Sequence, residues 1–198
     1  MMNYSSMYNK LYEVGYRMTD KNCGGKFLIH ICKTLEFNTI LDIGCCMGKG
    51  SETALKYKKQ YTGVDVADLA VERATARGRN VVQGSICDIP FEDETFDVAF
   101  SSETIEHIDP GDIDLALNEM IRVAKKYIVV QISTTAAKRG SRTQHAGVSW
   151  VDVAGLDIKN MHLTIWSSQV WLEKLMTLGL DVVFVSTSKK NISAILRK

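Results

Sequence analysis

The stretch Thr39-Ile-Leu-Asp-Ile-Gly-Cys-Cys-Met-Gly-Lys-Gly50 decides the fold class. An apolar strand ends on the carboxylate of Asp42 and runs into a turn punctuated by Gly44, Gly48 and Gly50. A second strand, Tyr61-Thr-Gly-Val-Asp65, ends on another carboxylate 23 residues after the first. Glycines let backbone approach a ligand closely, and a strand-end carboxylate accepts hydrogen bonds from ribose hydroxyls. The pattern predicts a nucleoside-bearing cofactor at the edge of an α/β sheet.

Outward from this stretch, strand-like and helix-like segments alternate, the signature of βαβ units and a mainly parallel sheet. Strands are expected at 38–43, 60–65, 80–85, 95–101 and 127–133, with helices at 50–58 and 67–77 between them. Asp109-Pro110 reads as an N-cap and first turn. Behind it Ile113, Ala116, Leu117, Met120, Ile121 and Ala124 fall on one helical face. A further helix over 168–178 is expected to turn Trp171, Leu172, Leu175 and Met176 inward and to stop at Gly179. The runs 180–186 and 192–197 are joined by too short a link for a parallel crossover, so they form an antiparallel hairpin. The fold class is therefore α/β, a doubly wound, Rossmann-like, mainly parallel sheet of seven strands that ends in that hairpin.

Composition narrows the function. The chain has 198 residues, a formal net charge of +1 and only two prolines, with no linker-like run or internal repeat. It reads as a single domain with residues 1–36 as an N-terminal helical cap. No global field draws it to nucleic acid or membrane. No apolar run approaches the ~20 residues of a membrane span, and the N-terminus lacks a signal-peptide layout. The expected location is cytoplasmic. The five cysteines are odd in number and lack paired CxxC spacing, so no metal site is read from them. Reduced, buried thiols are the plainer reading.

The glycine turn fits the nicotinamide and flavin dinucleotide fingerprint G-x-G-x-x-G badly: counting from Gly44, Cys46 and Lys49 fall at the second and third glycine positions. No P-loop pattern occurs. What Leu41-Asp-Ile-Gly-Cys-Cys-Met-Gly48 resembles is motif I of the class I S-adenosylmethionine-dependent methyltransferases. Gly63-Val-Asp65-Val66, with Ala70-Val-Glu-Arg-Ala74 in the next helix, is similar to that family's second strand. Gln83-Gly-Ser-Ile-Cys-Asp-Ile-Pro-Phe91, Phe96-Asp-Val-Ala-Phe100 and Ser102-Glu-Thr-Ile-Glu-His-Ile108 resemble its third and fourth strand tips. The resemblance covers residues 38–133, and the final hairpin matches in topology.

The resemblance implies S-adenosyl-L-methionine as cofactor, with roles residue by residue. Asp42 and the turn carrying Gly44, Cys45 and Gly48 would hold its methionine end. Asp65 would bind the ribose hydroxyls, and Val66 would pack on adenine. Ser85 and Ile86 would sit at the adenine edge, Ser101 near the sulfonium, and Tyr16 would close the site. A helix starting at Gly50 would favour the cofactor's carboxylate. Two positions depart from the family pattern: Cys46 replaces its middle glycine, and Ser85 stands where an aspartate often reads the adenine amino group. A cysteine Cβ disfavours positive φ.

Several features carry two readings. Asp65 reads either as a ribose ligand or as an N-cap of the helix over 67–77. Tyr4, Tyr8, Tyr12 and Tyr16 form a four-residue stripe, either packing on the sheet or lying over the site as a lid. His145 and His162 fall in the long aperiodic segment 134–166, read as an acceptor-side loop, and are the candidate general bases. Glu106-His107 reads as packing behind the site. Lys138, Arg139 and Arg142 are either a solvated loop or a seat for an anionic acceptor.

The expected activity is methyl transfer to an O or N nucleophile of a small-molecule or glycan-type acceptor. The segment Met161-His-Leu-Thr-Ile-Trp-Ser167 resembles acceptor-side elements of sugar and metabolite methyltransferases. Two alternatives stand beside it: an RNA methyltransferase, and a catalytically silent cofactor-binding subunit.

Overall fold

The computed structural model describes residues 2–16, 25–136 and 150–198. Among these, the strands are β1 (Thr39–Ile43), β2 (Gln60–Asp65), β3 (Val81–Gln83), β4 (Phe96–Ser102), β5 (Ala124–Ser133), β6 (Asp181–Thr187) and β7 (Asn191–Arg197). They form one sheet in the order β3-β2-β1-β4-β5-β7-β6. The first five pair in parallel, and β7 runs antiparallel to both β5 and β6. The expected parallel sheet with a terminal hairpin is what forms, with β7 inserted between β5 and β6.

The helices are α1 (Tyr4–Glu13), α2 (Gly25–Thr34), α3 (Gly50–Lys56), α4 (Asp68–Thr75), α5 (Ile113–Val123), α6 (Trp150–Val153) and α7 (Ser168–Met176). Alternation along the strands gives the sheet two apolar faces. Leu41, Ile43, Ala99, Ile128 and Val130 join one core with Met7 of α1, Leu117 of α5 and Trp171 of α7. Ile40, Val98, Phe100 and Val129 face the other side, against Phe27, Leu28 and Ile31 of α2 and Ala54 of α3.

Local details follow the residues. Asp109 Oδ1 accepts from the Gly111 N–H at 2.9 Å, but Pro110–Asp112 is a single 3-10 turn before α5 begins. Ser167 caps α7, its Oγ accepting from the Val170 N–H at 3.3 Å. Trp171 and Leu175 are buried as expected, whereas Met176 is 62% exposed. The buried stripe of α7 is narrow, and Met176 sits one 100° step beyond Leu175. Among the described residues no helix is long and apolar enough to cross a membrane.

Candidate active site

The sheet places β2 and β4 on opposite sides of β1, so the strand order reverses there. Ligands of open α/β sheets bind outside the carboxyl ends of the strands at such a switch point. Ile43 pairs with Val64 on one side and Ser101 on the other, which brings the tips of all three strands together.

The turn after β1 is fixed by contact and by charge. Gly44 has φ +74°, and a Cβ there would lie 2.3 Å from Thr104 Oγ1, so the tips of β1 and β4 can meet only over a glycine. Cys46 takes the left-handed conformation too, with φ +53°, despite its side chain. That conformation aims its N–H at Asp65 Oδ2, 2.8 Å away, while Asp65 Oδ1 accepts from the Ala67 N–H at 3.0 Å. Asp65 is not the N-cap of α4. The cap residue is Ala67, which has no side-chain bond to give, and Asn9 of α1 supplies the acceptor for the Leu69 N–H at 3.4 Å.

Above this carboxylate lies a pocket of about 630 Å³, open mouth included. Tyr4, Tyr8, Tyr12 and Tyr16 form one wall. Gly44, Cys46, Asp65 and Val66 form its base, with Gly84, Ser85 and Ile86 on one side and Glu103, Thr104, His107 and Ile108 on the other. The tyrosine stripe therefore faces the pocket as well as the core.

Polar contacts at Tyr4, Asn9 and Tyr12 dock α1. The Tyr4 hydroxyl accepts from the Asp109 N–H and donates to Asp112 Oδ2, both at 2.9 Å. Asn9 Nδ2 donates to Asp68 at 3.0 Å. Arg73 reaches the Tyr12 carbonyl at 3.3 Å and lies over its ring. Burial and the Asp65 charge keep the Tyr8 and Tyr12 phenols protonated, far above the ordinary value.

Of the residues expected to bind the cofactor, Tyr16, Gly44, Asp65, Val66, Ser85 and Ile86 line this pocket. Four others do not. Asp42 lies under the turn, accepting from the Tyr61 hydroxyl at 2.8 Å. Cys45 turns its thiol into a cluster with Ala74 and Val81, and burial raises its pKa. Gly48, with φ +66°, is held by Val81, whose Cγ2 would sit 2.6 Å from an added Cβ. Ser101 is enclosed within the sheet beside Ile43.

The two candidate bases fare differently. His145 lies outside the described residues, as do Lys138, Arg139 and Arg142. His162 stands behind His107, ring centroids 4.8 Å apart at 81°, and its Nδ1 bonds to the Thr135 carbonyl at 2.6 Å. Burial lowers its pKa. His107, expected to pack behind the site, is the one on the pocket wall. Its place follows from a strap: His107 Nδ1 bonds to the Met161 carbonyl at 2.9 Å, and the Thr164 N–H and hydroxyl reach the Glu106 and Ile108 carbonyls at 3.0 and 2.6 Å. Glu106 is fully buried, and burial together with the Glu103 charge pushes its carboxyl well above the ordinary carboxylate range. Neither Glu103 nor Cys46 was singled out as pocket-lining by sequence; both sit at positive φ, which no residue type there announces.

Comparison with known proteins decides the family. Residues 41–132 match the methyltransferase domain family. The chain carries a class I S-adenosylmethionine-dependent methyltransferase domain. It is 33% identical over 118 residues to a malonyl-[acyl-carrier protein] O-methyltransferase of Serratia marcescens, covering 59% of this chain and 44% of that protein. It is 31% identical over 120 residues to the sterol 4-C-methyltransferase strm-1 of Caenorhabditis elegans, covering 54% and 35%. The chain thus spans less than half the length of either methyltransferase. The methyltransferase fold extends beyond the matched segment. A Haloferax volcanii protein solved in complex with the Trm112 methyltransferase activator superposes with a TM-score of 0.71 at 15% identity, over 98% of this chain and 97% of its own.

Proposed function

We propose that this protein transfers a methyl group from S-adenosyl-L-methionine to an O or N nucleophile of a small-molecule acceptor. The observation that carries the reading is Asp65, a pocket-lining carboxylate already oriented by two backbone N–H groups at the switch point of a methyltransferase fold.

The residues present suit the cofactor. Ribose hydroxyls are donors, and a preoriented carboxylate accepts from them in charge-assisted bonds. Val66 and Ile86 offer apolar surface for an adenine ring, and the Ser85 hydroxyl offers a polar edge. Gly44 leaves backbone exposed where the methionine end would lie. Asp42, Cys45 and Gly48 support the turn from behind. When bound, the cofactor supplies an electrophilic methyl on a sulfonium. The tyrosine wall of α1 then excludes water, and the strap carrying Met161, His162 and Thr164 forms the acceptor side. Catalysis of this kind draws mainly on positioning.

A second reading has one observation in its favour. The Haloferax protein of the same fold was solved with an activator, so this chain would bind cofactor alone and turn over only with a partner. The RNA-directed reading needs the basic residues of 138–142, outside the described segments, to join those of 188–190 on one surface, and has no such support.

Radiolabelled methyl transfer by the isolated chain tests the proposal, using panels of hydroxylated and aminated metabolites and sugars. Incorporation into any small acceptor supports it. Cofactor binding without incorporation across the panels favours the partner-dependent reading.

A further inference from the structure

One corner of the pocket carries chemistry that cofactor binding leaves unused. Glu106, His107 and His162 can each offer one ligand atom, and these atoms all lie within 4.8 Å of one another. Glu106 is fully buried, and the Ser133 backbone and the Glu103 side chain approach its carboxylate without meeting full hydrogen-bond geometry. A buried carboxylate so weakly satisfied stays protonated and neutral unless something cationic meets it.

The two imidazoles are set to receive the same occupant. Nδ1 of His107 faces the Met161 carbonyl and Nδ1 of His162 faces the Thr135 carbonyl, at 2.9 and 2.6 Å. A carbonyl only accepts, so each Nδ1 carries a proton, which makes Nε2 the ring atom that a cation would use. Metal-bound histidines are held this way, the far nitrogen donating to a carbonyl that fixes tautomer and ring plane. Glu103 lines the same pocket, and its carboxylate acts on that of Glu106.

We infer that this corner is a divalent cation site, with Glu106, His107 and His162 as ligands and Glu103 as a further oxygen donor. Two imidazoles with carboxylates suit a first-row ion such as Mn²⁺ or Co²⁺ better than an all-oxygen ion such as Ca²⁺. The site opens on the pocket through His107 and Glu103. Its role there rests on the methyl-transfer reading: a cation so placed would take an acceptor oxygen as a ligand and draw charge from it. Cation binding itself does not depend on that reading.

The test uses the full chain, stripped with chelator and free of S-adenosylmethionine. Mn²⁺ is titrated by the electron-paramagnetic resonance of the free ion, and Co²⁺ by its visible ligand-field absorption. Wild type is expected to bind one ion at micromolar concentration, and His162→Ala and His107→Ala to weaken binding at least tenfold while keeping their circular dichroism. If one variant fails to fold, the other decides, with Glu106→Gln as a third. Absence of wild-type binding below millimolar Mn²⁺ or Co²⁺ would overturn the proposal, as would equal binding by the folded variants. A parallel titration of the metal-free chain with S-adenosylhomocysteine reports on the cofactor reading separately.

Discussion

The Cys46 N–H donates to Asp65 Oδ2 at 2.8 Å, which makes the turn after β1 and the tip of β2 one hydrogen-bonded unit. The bond requires the left-handed backbone at Cys46, the conformation that a glycine would take without cost. The cysteine that departs from the family pattern therefore preserves the geometry of the pattern and bears the strain.

That arrangement predicts the outcome of Cys46→Gly. Relief of roughly 1 kcal/mol of left-handed strain offsets the greater entropy of an unfolded chain with glycine, about 0.4–1 kcal/mol. Stability should move by less than about 1 kcal/mol on thermal melting, and calorimetry should give S-adenosylmethionine affinity equal to or tighter than wild type. A tenfold loss of affinity would show that the thiol itself contacts the cofactor.

Tyr4→Phe should loosen α1 without touching the base of the pocket. It removes the acceptor of the Asp109 N–H and the donor to Asp112, and such losses cost about 1–3 kcal/mol when a buried partner is left unpaired. The expected result is a lower melting temperature and faster S-adenosylhomocysteine dissociation by stopped flow, with the association rate little changed.

Acid should weaken the protein partly through Glu119. Arg122, with the Ile89 N–H, holds its carboxyl below the ordinary carboxylate range, outweighing burial. A group with a lowered folded pKa contributes stability above its unfolded value, about 4.3, and loses it as pH falls through the folded value. Glu119→Gln should therefore reduce stability at pH 7 by about 1–2 kcal/mol and flatten the decline of denaturation midpoint below pH 5. An unchanged slope below pH 5 would remove Glu119 from the account.

The sheet was legible because its signals are local. Asp65 closes β2 and Asp42 stands one residue before the end of β1, and the short link before Asn191 forces an antiparallel return. The start of β5 was not, since α5 passes into it without a loop and Lys125 and Lys126 break the apolar run. Within the site, Asp65 could be read from its spacing and Ser85 from the family resemblance. The inward turn of Cys45 could not, being set by contact with Val81 and Ala74. The meeting of His107 and His162 depends on a strap closed by Thr164, a contact across 56 residues that no periodicity encodes.

The tyrosine-walled pocket is expected to hold S-adenosylmethionine through Asp65. Calorimetric titration with S-adenosylmethionine and S-adenosylhomocysteine, with NADH as control, tests it most directly on wild type and Asp65→Ala. Wild type should bind the first two at micromolar concentration and NADH not at all, and Asp65→Ala should lose roughly ten- to a hundredfold, the worth of hydrogen bonds to a charged group. Undiminished binding by a folded Asp65→Ala variant would contradict that role of Asp65.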